Sequence, residues 1–151
     1  VIAISKRPVG RSWATISFAS TLYLCPILDL LVSEIPDSWQ AELRLGLQEA
    51  LVNAAKHGNN LDPSKTVVVK FAAIADHYWW VISDQGLGFK PNPCCCRPTD
   101  DNEYLPSEES ECGRGLYILY QVFDQVHWNP EARELSLCKY VKSRHKLPLV
   151  R

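Results

Sequence analysis

Glu49, Asn53 and His57 recur at every fourth position of the run Glu49-Ala50-Leu51-Val52-Asn53-Ala54-Ala55-Lys56-His57-Gly58. Two short glycine boxes follow it, Asp84-Gln85-Gly86-Leu87-Gly88-Phe89 and Gly113-Arg114-Gly115-Leu116. On a helix, a spacing of four sets side chains on one stripe, here beside the apolar face and so at the rim of a core. A carboxylate there can take a proton from an incoming hydroxyl, and an amide oxygen can be one hard ligand of an octahedral Mg²⁺ completed by phosphates and water. Asp84, when ionised, only accepts hydrogen bonds. It therefore selects the exocyclic amine of adenine and repels the guanine carbonyl at the same place. Gly113-Arg114-Gly115 opens a helix, where unsatisfied N–H groups and the positive dipole end suit phosphate and Arg114 can add bidentate charge. Amine, phosphates and metal together describe Mg-ATP.

Each box has a plainer reading on its own. Glu49 and Asn53 can be a solvated stripe, His57-Gly58 a helix C-terminus with glycine as its left-handed cap, Asp84-Gln85-Gly86 an ordinary turn, and Gly113 to Gly115 a flexible helix start with a surface arginine. Their order and distinct chemical tasks argue for one site. A dinucleotide fingerprint is excluded, because Gly86-x-Gly88 would need glycine or alanine at position 91, which is Pro91, and no Gly-x-x-x-x-Gly-Lys-Ser/Thr loop occurs anywhere.

The elements that must hold these residues are legible from period. Ala14, Ile16 and Phe18 alternate as in a half-buried strand, and Pro26 suits the first turn of a helix carrying Ile27, Leu28, Leu31 and Ile35. Asp37 and Gln40 read as a capping box opening a second helix, whose apolar face is Leu43, Leu47, Ala50, Leu51 and Ala54. Thr66 to Ala75 and Tyr78 to Ser83 form an antiparallel hairpin, rich in β-branched and aromatic residues. Lys90 to Glu111 holds four prolines and six acidic residues without periodicity, the composition of a long functional loop. Leu116, Leu119, Val122, Phe123 and Val126 return to helical spacing, and Asn129-Pro130 turns into a last strand with Leu135, Leu137 and Val141 on one face. Runs of strands and three helices without βαβ alternation predict an α+β sandwich, a mainly antiparallel sheet with helices on one face.

The 151 residues suffice for one domain burying roughly 70% of its unfolded surface. Sixteen basic against seventeen acidic residues leave no global field for nucleic acid or an anionic membrane. The apolar run from Trp13 to Val32 is interrupted by Ser17, Ser20, Thr21, Pro26 and Asp29 and precedes no small-residue cleavage site, so neither a membrane span nor a leader is expected. Of six cysteines, three are consecutive (Cys94, Cys95, Cys96) and the rest scattered, which implies a reducing, cytoplasmic setting. Zinc would require a second Cys-x₂₋₄-Cys pair, and there is none.

In order and spacing these boxes resemble the Bergerat-fold (GHKL) ATPases, and at this size the anti-sigma-factor serine kinases of the RsbW and SpoIIAB type. The resemblance runs from about Ser12 to Val141 in a domain spanning 1–151, with a lid at about 90–112. It implies a two-layer sandwich binding ATP and Mg²⁺. Glu49 would be the general base and Asn53 the metal ligand; Asp84 would anchor adenine. Gly86, Gly88, Gly113 and Gly115 would wall the pocket, with His57 and Arg114 beside it. It further implies a partner switch: binding of a sigma factor or comparable target, and phosphorylation of a serine on a STAS-domain antagonist, by a chain that can form a homodimer. The alternative is an ATP-binding module that sequesters a protein partner with little kinase activity. A histidine autokinase would need a dimerising helical hairpin carrying the accepting histidine, and His57, His77, His127 and His145 all fall in or near the ATP domain. The cysteine-rich, acidic lid departs from the family pattern and bears on which partner is recognised.

Overall fold

The computed structural model describes residues 3–6, 13–74, 76–86 and 111–141. Strands β1 (Ala3–Lys6) and β2 (Ala14–Ala19) lead into helices α1 (Cys25–Val32) and α2 (Asp37–Val52). The hairpin β3 (Thr66–Ile74) and β4 (His77–Ser83), helix α3 (Glu111–Val122) and the hairpin β5 (Gln125–Asn129) and β6 (Glu134–Tyr140) complete the order. All six strands join one antiparallel sheet in the order β1-β2-β3-β4-β6-β5. The expected α+β architecture is the one observed.

Cross-strand register shows how the alternation builds the core. Ile16, Val69, Ile82, Leu135 and Trp128 are successive partners across five strands, and Ala14, Phe71, Trp80, Leu137 and Val126 form the neighbouring row. Most of these side chains, with Leu43, Leu47 and Leu51 of α2 and Leu119 of α3, belong to one buried cluster. α2 and α3 approach closely because Gly46 carries no side chain: a Cβ there would stand 2.6 Å from the Phe123 ring and 2.8 Å from Val122.

Several local expectations are corrected. The capping box does not form: Pro36 is the N-cap, Asp37 is already helical, and Gln40 Nε2 donates to Ile35 O and the Asp37 carboxylate. Val126 lies on β5, not on the third helix, because the Asp124 N–H donates to Cys138 O and turns the chain onto β6. β1 and β5 add two strands to those the periodicity predicts. α3 begins at Glu111, so Gly113 to Gly115 fall inside its first two turns. The α2 helix widens into a π-helical turn over Asn53–Gly58, and its left-handed residues are Asn60 and Leu61 (φ 53° and 54°) rather than Gly58. Most of the 90–112 loop, Cys94 to Cys96 included, and Gly88 lie outside the described residues. Among the described residues no helix is long and apolar enough to cross a membrane, and no cluster of potential metal ligands is present.

Candidate nucleotide site

The C-terminal half of α2 supplies the first two groups. Leu43, Leu47, Ala50 and Leu51 hold that helix on the sheet, and Glu49 and Asn53 fall on the adjoining stripe, each partly exposed. α3 crosses there. A Cβ on Gly115 would stand 3.2 Å from Glu49 Oε2 and 3.5 Å from Asn53 Nδ2, so the carboxylate and the amide face one patch of α3 backbone left open by glycine. The π-helical turn begins at Asn53 itself, and such wide turns recur where a helix must re-aim functional groups.

Asp84 leaves the end of β4. Its carboxylate accepts the Gly86 N–H at 2.8 Å and packs directly on Gly58. A Cβ on Gly86 would stand 1.7 Å from the Gly58 carbonyl oxygen, so the turn and the helix end are in backbone contact. Burial raises the Asp84 carboxyl above its ordinary value, while the Gly86 N–H and the charges of Arg133 and Lys65 pull the other way. Arg133, in a left-handed conformation in the β5–β6 connection, donates to Gly86 O at 2.5 Å.

Asn53 and Asp84 line one cleft of about 570 Å³, mouth included. Its walls are Ala50 and Ala54, Ile82 and Leu135 from the sheet, Leu116 from α3, and the aromatic rings of Tyr120 and Trp128. A flat apolar ring with an amine at its edge fits such a wall, and the amide oxygen of Asn53 is the donor type that magnesium takes.

The structure thus brings Glu49, Asn53 and Gly115 together, and Asp84 with Gly86. His57 is half-buried and does not line the cleft; Arg114 is exposed on α3, and Gly113 lies one position before it. Sequence reasoning missed the Gly58–Asp84 contact, Asn59, Arg133 and the two aromatic walls. The available signal is the Gly58-Asn59 pair at the helix end, which by residue type alone marks a helix terminus.

The sequence profile of the histidine kinase-like ATPase domain matches residues 30–139. The serine-protein kinase RsbW of Bacillus velezensis is 30% identical over 89 residues, covering 56% of this chain and 54% of the relative. RsbW of Bacillus subtilis is 27% identical over 105 residues, 66% of this chain and 64% of the relative. RsbW of Bacillus licheniformis is 28% identical over 89 residues. The aligned segments span between 54% and 64% of these relatives' lengths.

Proposed function

The chain belongs to the histidine kinase-like ATPase domain family, and from that premise we propose that it binds Mg-ATP and transfers the γ-phosphoryl group to a serine of a STAS-domain antagonist, while holding a sigma factor or comparable target in its other state. The observation that carries the reading is that Asn53 and Asp84, from separate elements, line one cleft whose α3 wall approaches through Gly115. Asp84 accepts from the adenine amine, and the Asn53 oxygen would hold magnesium, which when bound neutralises phosphate charge. Gly115 and Gly113 keep the α3 backbone open to the phosphates; Gly86 and Gly88 complete the pocket wall with Arg114 beside it, and His57, which does not line the cleft, has no part in it. Glu49 takes the proton of the serine hydroxyl as its oxygen bonds to the γ-phosphorus and the bond to the bridging oxygen breaks, releasing ADP. Positioning and charge neutralisation carry most of such a reaction. The relatives' name, serine-protein kinase, supports this choice of acceptor.

Calorimetry with Mg-ATP and transfer of labelled γ-phosphate to a co-purified STAS-domain protein test the reading. Binding that Asp84→Asn weakens at least about tenfold, together with a phosphoserine product, is expected. No heat at millimolar nucleotide overturns it. Binding without transfer leaves the alternative, an ATP-gated module that sequesters its target.

A further inference from the structure

The Asn59 amide has no part in the chemistry above, yet it is fully buried, which is uncommon for asparagine. Its Oδ1 accepts the Gln85 backbone N–H at 2.8 Å, and its Nδ2 donates to Ser20 Oγ at 2.8 Å and to Thr66 O at 2.9 Å. Capping of the preceding helix does not require this side chain, because backbone N–H groups of Asn59 and Leu61 already reach Ala54 O and Ala55 O. The amide instead reaches outward to the end of β2, the start of β3 and the turn after β4. Gln85 is tied a second time, its Oε1 accepting the Thr66 N–H at 2.8 Å. Two dipeptides therefore face each other. Gly58 meets the Asp84 carboxylate, and Asn59 meets the Gln85 N–H.

We infer that Asn59 is a positioning residue for recognition of the nucleotide base: its amide fixes the Asp84 turn against the helix that carries Glu49 and Asn53, and so sets where a base amine must lie relative to the phosphates. The inference rests on the proposed ATP reading. Its physical content is that one buried side chain joins the base end and the phosphate end of the cleft. Without it the Gln85 N–H loses its acceptor and Thr66 O one of its donors, the turn relaxes, and the carboxylate drifts from the amine. A displacement of about an ångström is enough to lose much of an oriented contact.

The test compares full-length wild type with Asn59→Ala by calorimetry against three magnesium complexes: ATP, inosine triphosphate, which carries a carbonyl in place of the amine, and tripolyphosphate, which has no base. The variant is expected to lose at least about tenfold in ATP affinity and a similar factor in the preference for ATP over inosine triphosphate, with tripolyphosphate changed by no more than about twofold. Equal weakening of all three ligands would reveal a merely structural role and overturn the inference, as would an unchanged preference. Should Asn59→Ala fail to fold, Gln85→Ala carries the test, since Gln85 is exposed and its side chain makes the second tie of the same turn. It is expected to lower the same preference, and an unchanged preference overturns the inference. Wild type that binds no ATP defeats the functional reading itself. Wild type whose preference depends on Asp84, with Asn59→Ala and Gln85→Ala retaining that preference, defeats only the role of Asn59.

Discussion

The Asp84 carboxylate occupies the space that a side chain on Gly58 would need: a Cβ at Gly58 would stand 2.4 Å from both Cγ and Oδ2 of Asp84. Gly58 is therefore required by the approach of another element, not by its own backbone conformation. Gly58→Ala must displace the carboxylate, with a stability cost of about 1–3 kcal/mol, as for other overpacked sites, and ATP affinity reduced at least about tenfold. Gly115→Ala meets Glu49 Oε2 at 3.2 Å, the end of a flexible side chain, and is expected to be the milder change. Thermal melts and calorimetry on the two variants check the order; Gly58→Ala with wild-type affinity would contradict it.

Glu49 and Asn53 share a helix stripe, but only Asn53 lines the cleft. Their variants should separate accordingly. Glu49→Gln is expected to bind Mg-ATP within about twofold of wild type and to lower phosphoryl transfer about 10²- to 10⁴-fold, the usual range for a general base. Asn53→Ala is expected to weaken Mg-ATP at least about tenfold. Labelled transfer and calorimetry on the same preparations distinguish the two, and transfer at the wild-type rate by Glu49→Gln would remove Glu49 from the chemistry.

Asp84 gives the site a defined pH response. Burial, its largest influence, raises the carboxyl above its ordinary value despite the Gly86 N–H and the charges of Arg133 and Lys65. A carboxyl with a raised folded pKa holds its proton more readily in the folded state. Its contribution to stability is thus fully present at acid pH, below the unfolded value, and is lost as pH rises through the folded value. On the proposed reading binding runs the other way, since the adenine amine would need the carboxylate. ATP affinity should therefore fall on acidification beginning above the ordinary aspartate range, and this dependence should be absent in Asp84→Asn. The same variant without nucleotide should be at least as stable as wild type at neutral pH and lose that advantage in acid, as read from melts across pH.

How much of this was legible follows the range of the signal. The apolar face of α2 and the alternation of β3 and β4 are local periods, and they located the elements holding Asn53 and Asp84 correctly. Val126 continued the helical spacing of Leu119 and Val122, and only its pairing with Leu137 makes it strand. Gly58 looked like a helix cap because the carboxylate it accommodates comes from another element. Arg133 was unremarkable until the β5–β6 connection brought it to Gly86. Lys139 sits between Leu137 and Val141 in a strand of period two, which puts it on the core face, yet the group that makes a buried lysine tolerable is on α2.

That group is Glu42. Lys139 Nζ lies 3.3 Å from Glu42 Oε1, donates to Val122 O near the end of α3 at 2.6 Å, and sits 4.7 Å from the centre of the Trp39 ring. Both charged side chains are almost wholly buried, 2% and 4% exposed, so replacing the lysine takes the ammonium away from beside the Glu42 carboxylate in the core. Lys139→Met is expected to destabilise the chain by about 3–5 kcal/mol, whereas Lys139→Met with Glu42→Leu should recover much of that loss, because apolar replacement of a whole buried pair is often neutral. The Val122 carbonyl still loses a donor in the double variant, which should leave it about 1 kcal/mol short of wild type. Urea unfolding of the four chains of this cycle gives the coupling directly. A coupling near zero would mean that the lysine is held by Val122 O and Trp39 rather than by Glu42.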